Sequence, residues 1–141
     1  MNVDTFKGLL ASQTTQKGFN WQEEQSEGSC ILSCRGGFPY YDDDCLIRIE
    51  VNENCMEVLF ILDAIVPTYD NLKLVNDFND QVQFLKAHIH RTQKSYLLII
   101  SSGLIANSTE QHAVDTFVEL FKYVASQDVA IYLRPLTVIT Q

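Results

Sequence analysis

With 141 residues, 46% of them hydrophobic, the chain is long enough for one domain with its own core and too apolar to be disordered. Its formal net charge of −8 repels phosphate backbones, and no lysine or arginine cluster offsets it, so nucleic-acid and anionic-membrane partners are disfavoured. Even the longest apolar runs, such as Val58–Leu62 and Tyr96–Ile100, fall far short of a membrane span, and the N-terminus has no long apolar segment, so no signal peptide and a cytoplasmic location are expected.

A chain of this size buries roughly 70% of its unfolded surface, enough to dispense with a disulfide or metal staple. The four cysteines fit a reducing compartment as free thiols. Cys30 and Cys34, four residues apart on one predicted strand, stand about 13 Å apart, too far for a disulfide or a shared metal. Cys45 and Cys55 bracket a predicted hairpin.

In chain order, Val3–Gln13 reads as a short amphipathic helix with Phe6, Leu9 and Leu10 inward and Asn2 as its cap. Phe19–Glu24 reads as a short edge strand anchored by Trp21, and Ser26-Glu27-Gly28 turns the chain. Ser29–Arg35 is a strand, broken by Gly36-Gly37. Phe38–Asp44, F-P-Y-Y-D-D-D, reads as a loop. Cys45–Val51 is the next strand, with Asn52-Glu53-Asn54 as its turn. Cys55–Val66 is a long strand, apolar on both faces near its middle. Opposed residues share a face, which sets Ile47, Ile49 and Val51 with Met56, Val58, Phe60 and Leu62. A two-residue turn would place Arg48 opposite Glu57.

Pro67 ends that strand and Thr68 caps a central helix, on which Leu72, Val75, Phe78 and Val82 share a face. Leu85, Ala87 and Ile89 then alternate with Lys86, His88 and His90, a strand with one wet face. After the turn Thr92-Gln93-Lys94, Tyr96–Ile100 reads as a more buried strand stopped by Ser101-Ser102-Gly103. Asn107–Glu110 signals the cap of a last helix reaching about Ser126, with Ala113, Val114, Phe117, Leu120, Phe121 and Val124 inward. Val129–Leu133 reads as extended, an edge or a loose arm because of Pro135. This order, α-βββ-α-ββ-α, predicts a single two-layer α+β domain over residues 1–141, with a mainly antiparallel sheet of about five strands.

The central stretch resembles the YbjN family, whose fold is similar to class I type III secretion chaperones. The resemblance lies in Leu74-Val75-Asn76-Asp77-Phe78-Asn79, then Lys86-Ala87, then the strand end from Leu97 to Gly103, and spans Ser29 to Val124. It implies a bacterial, non-enzymatic regulator or chaperone-like module that binds proteins, often as a homodimer, and it brings no catalytic residues with it. The Phe38–Asp44 loop and the extended tail fall outside it.

The sharpest chemical signal is His88-x-His90. On a strand both rings point the same way, their Cα atoms about 7 Å apart, a spacing that suits two ligands of one zinc. A third ligand is required, and no spacing ties His112 to the pair; two solvated histidines are the ordinary reading. Asp42-Asp43-Asp44 fails as an EF-hand loop, because Ile47 stands where the sixth position needs glycine, although Glu53 falls at the twelfth. Asn76 and Asn79 share a side of the central helix and are placed to bond a neighbouring backbone at the helix-to-strand corner. No G-x-S-x-G, Walker A or G-x-G-x-x-G occurs, and no histidine is placed beside Ser101-Ser102.

The function expected is therefore a non-enzymatic protein-binding module, chaperone-like or regulatory, without cofactor or metal. The candidate protein-binding residues are Trp21, Phe38, Tyr40, Tyr41, Leu59 and Ile61, as loop aromatics and as the apolar second face of the long strand. A homodimer is expected to cover that face, which exposes Leu59 and Ile61 together with Tyr96 or Leu97. The alternatives are a small metal-dependent enzyme or metal sensor using His88 and His90, and a structural subunit of a larger assembly.

Overall fold

The strands are β1 Gln22–Ser26, β2 Ser29–Phe38, β3 Tyr41–Val51, β4 Cys55–Leu62, β5 Lys86–Arg91 and β6 Tyr96–Ile105. The computed structural model describes residues 1–38, 41–62, 68–93, 96–105 and 108–137, with the backbone alone at 41–44, 104, 105 and 137. All six strands form one antiparallel sheet in the order β1-β2-β3-β4-β6-β5. Alternation in β3 and β4 fixes its register. Ile47 stands opposite Phe60, Ile49 opposite Val58 and Val51 opposite Met56, all of them buried. The pairing carries across the sheet, so Cys30, Leu32 and Cys34 on one side and Leu98, Ile100 and Ala87 on the other lie on that same face.

Four helices cover this face. They are α1 Val3–Thr14, α2 Tyr69–Gln81, α3 Glu110–Val124 and α4 Gln127–Thr137. The side chains of Asn2, Thr68 and Thr109 cap the first three, accepting from the backbone N–H groups of Thr5, Asn71 and His112 at 2.9, 3.2 and 3.1 Å. Phe6 and Leu10 of α1, Val75 and Phe78 of α2, Phe117 of α3 and Leu133 of α4 join the strand residues in one buried cluster. An aromatic group tightens it around Phe117 and Phe121. Phe19 and Trp21 meet Phe117 edge-on at 5.9 and 5.4 Å, and Phe38 lies 5.3 Å from Phe121.

The two-layer α+β architecture is the one the sequence predicts, with six strands among the described residues; several elements differ. The first strand is Gln22–Ser26, later than Phe19–Glu24, because Phe19 is drawn into the aromatic group. Gly36-Gly37 does not end β2. The strand runs on to Phe38 through a register shift between Gly36 and Phe38, and a Cβ at Gly36 would come within 2.7 Å of Ile47 Cδ1. Within the stretch Phe38–Asp44 expected as a loop, Phe38 closes β2 and Tyr41 opens β3, while residues 39 and 40 lie outside the described residues. Arg48 faces Leu59 instead of Glu57, because Asn52 widens the turn by accepting from the N–H groups of Asn54 and Cys55 at 2.7 and 2.9 Å. Leu72, expected inward, is 47% exposed.

The largest difference is α4. Val129–Leu133 looks extended by composition, yet Val129, Leu133 and Leu136 recur at helical spacing and are buried, with α4 packed beside α2. That burial outweighs the hydrogen bond forgone at Pro135, which sits inside the helix. The residues expected to end or turn elements at Pro67, Lys94 and Asn107, and the continuation of β4 to Val66, lie outside the described residues.

At the corner between α2 and β5, Asn79 does what its position suggests. Its carboxamide donates to the carbonyl of Ala87 at 3.0 Å and accepts from the Ala87 N–H at 2.7 Å. Those backbone groups point away from β6, so the side chain takes the place of the next strand at the sheet edge. Phe84, in the same corner, has φ +68°, a left-handed conformation costing roughly 1–2 kcal/mol for a residue with a Cβ.

Phe78 and Phe117 are both fully buried. Truncating either to alanine is expected to cost about 3–5 kcal/mol, read from urea midpoints, whereas His90→Ala on the exposed edge should move stability by no more than about 0.5 kcal/mol. Unchanged midpoints in both phenylalanine variants would contradict the helix phases described above.

Candidate functional site

Because side chains alternate along a strand, the register that buries Ile47, Ile49 and Val51 turns a second set of residues to the opposite face. One row across it is Ser33, Arg48, Leu59, Ser101 and Lys86; the next is Arg35, Leu46, Ile61, Ile99 and His88. Leu97, opposite His90, extends the second row's apolar end. Leu46, Leu59, Ile61 and Leu97 are half-buried, and Ile99 is shielded by its neighbours. None of these five belongs to the cluster that the helices close. Together they make an apolar band across β3, β4 and β6, flanked by Arg35, Arg48 and Glu50 on one side and by the two histidines on the other.

The sequence places Leu59 and Ile61 on this face, and the structure brings them side by side with residues it does not single out. Leu46 is the outward residue of the run Cys45-Leu46-Ile47, where an apolar side chain in the wet phase was the available signal. In β6 the phase selects Leu97, with Tyr96 on the helix side opposite Arg91. Arg48, in the middle of the face, reaches Glu50 at 2.7 Å on its own strand. This pair is more than a third exposed and adds little to stability.

The aromatic candidates are distributed differently. Phe38 is only 5% exposed and packs on Phe60 and Phe121, so it is a core residue and not surface available to a partner. Trp21 is half-buried, stacked on Phe19 at 5.8 Å, and its Nε1 donates to the hydroxyl of Thr14 at 2.9 Å. Tyr40 lies outside the described residues, and Tyr41 begins β3.

His88 and His90 project from β5 on the wet face and are exposed. Among the described residues no group of three His, Cys, Asp or Glu side chains is arranged to hold a metal, and His112 lies at the start of α3. Asp42, Asp43 and Asp44 belong to β3. Ser101 and Ser102 sit within β6, half-buried on opposite faces.

The cysteines are unbridged. Burial pushes the Cys34 thiol up to about 12. Cys30 is raised as well, first by burial and then by the carboxylate of Glu23, whose Oε1 lies 3.6 Å from its sulfur. Cys55, at the start of β4, is exposed.

Comparison with known proteins gives a likeness of fold. No family model and no curated protein matches the sequence. Among solved structures the chain is similar to the crystal structure of YbjN from E. coli, described as a candidate transcription regulator. The TM-score is 0.58 at 12% identity, over 96% of this chain and 90% of that one. The YbjN-like fold that the central stretch suggests is thus the fold of this chain, and at that identity the likeness concerns the fold alone.

The thiols offer a direct check. Native, unreduced protein at pH 8 is expected to react promptly at Cys55 alone, and denatured protein at all four cysteines. Titration with a chromogenic disulfide reagent reads both numbers. Fewer than four groups after denaturation would mean a bridge, and a fast second thiol would contradict the burial of Cys30, Cys34 or Cys45.

Proposed function

We propose that this chain is a non-enzymatic, protein-binding regulatory or chaperone-like module that works as a homodimer, its two copies joined through the sheet faces the helices leave uncovered. The observation that carries the reading is the band Leu46, Leu59, Ile61, Leu97 and Ile99, which no described element closes into the core. Apolar side chains gathered outside the core on one sheet face suit a contact with another protein surface. A second copy suits it because a two-fold axis sets apolar band on apolar band, with the charged margins left at the rim. The solved structure of similar fold is described as a candidate regulator, which fits a binding role. Regulation here would run through proteins, since 18 acidic against 10 basic side chains oppose contact with a nucleic-acid backbone. In the dimer Leu59 and Ile61 form the centre of the contact. Tyr40 and Tyr41, next to the acidic run of β3, are proposed as contacts for a further protein. We place the protein in the cytoplasm, as one domain.

Light scattering on a sizing column is expected to give the mass of a dimer at micromolar concentration, and Leu59→Asp, which buries a charge in the contact, the mass of a soluble monomer. A monomeric parent at high micromolar concentration, with Leu59→Asp changing neither mass nor solubility, would overturn the dimer. Hydrolytic or redox turnover abolished by His88→Ala or Ser102→Ala would overturn the non-enzymatic reading.

A further inference from the structure

The corner between α2 and β5 holds two features that the fold does not use. Phe84 keeps a backbone conformation that a bulky residue rarely adopts, φ +68°, and its ring is 80% exposed. Backbone strain persists where surrounding structure or function holds it, yet this ring is outside the core cluster and its partly buried surround. It forms one wall of a surface groove of about 540 Å³, whose opposite wall is the flank of α3 carrying Leu120 and Tyr123. Both of those residues are half-buried, packing inward while presenting an apolar edge to the groove.

The rim is acidic. Asp115 and Glu119 line the groove, His112 closes one end, and no lysine or arginine is among its lining residues. Lys122 reaches Glu119 only at 3.4 Å, with both side chains well exposed, so that pair leaves the local field negative. Gln111 donates to Asp115 at 2.8 Å, a bond that fixes the carboxylate without neutralising it.

We propose that this groove docks a short amphipathic helix of another protein, with an apolar anchor seated between Phe84 and the Leu120–Tyr123 edge and lysine or arginine beside Asp115 and Glu119. An apolar floor with charges of one sign along the margin is the complement of a basic amphipathic helix. The site lies on the helical side of the molecule, so it goes beyond the self-association proposed for the opposite face, and the two can be occupied together. Phe84 acts as a preset aromatic anchor, exposed before the partner arrives and covered afterwards.

The probe is a fluorescein-labelled leucine–lysine amphipathic peptide of about five helical turns, compared with its leucine–glutamate counterpart. Anisotropy is expected to show saturable binding of the basic peptide, weakening as salt rises, and none of the acidic one. Amide shifts in 15N-labelled protein should move at Phe84, Thr116, Leu120 and Tyr123. Phe84→Gly removes the ring at a position where glycine is the favoured residue, so it should raise Tm while weakening the peptide by about tenfold or more. Asp115→Lys, an exposed change that does not depend on the corner folding, should weaken it as well. Leu59→Asp should leave peptide binding unchanged, which separates this site from the dimer. Equal binding of both peptides, full affinity in Phe84→Gly, shifts confined to the sheet face, or no saturable binding would each overturn the proposal.

Discussion

The pairing of β3 with β4 is the constraint on which the rest of the molecule depends. Once Ile47, Ile49 and Val51 stand opposite Phe60, Val58 and Met56, the faces of every other strand are set, because a slip of one residue would turn each buried side chain outward. The same register that builds the core commits Leu46, Leu59 and Ile61 to the far side. Core and candidate surface are therefore two outcomes of one alternation, and neither can be changed in phase without the other.

Much of this was readable from the residues. The inward sets of β3 and β4, the caps at Asn2 and Thr68, and the service of Asn79 at the corner follow from periodicity and from hydrogen-bonding side chains acting locally. Tertiary packing decided the places where reading and structure part. A β-branched and aromatic run with a nearby proline, Val129 to Pro135, reads as extended until α2 offers a surface on which Val129 and Leu133 can be buried as a helix. Paired glycines at 36 and 37 signal a break, but Ile47 needs the room that a missing Cβ leaves, and the strand continues past them.

The candidate surfaces show a similar division. Leu59 and Ile61 were legible because β4 is apolar in both phases. Phe38 was misleading, since an aromatic among acidic residues does not reveal which way its ring points, and here it turns inward to Phe60 and Phe121. Phe84 carried no signal at all. Its i, i+2 spacing from Val82 would fit a strand face, but the chain bends here between α2 and β5, and only the backbone angle and the position of α3 make it conspicuous.

The carboxamide of Asn79 has a consequence for how copies of this chain would meet in the proposed dimer. A sheet can grow in two directions, by stacking its faces or by adding strands at its margins, and the second route leads to open-ended polymers. On the β5 margin Asn79 occupies the backbone groups of Ala87 that a newcomer would pair with, and on the β1 margin the short strand carries Glu23 and Glu24. Lateral extension is thus hindered at Ala87 on one side and discouraged by charge on the other. What remains open is the flat of the sheet, where association is self-limiting because a stacked pair has no free face left to offer.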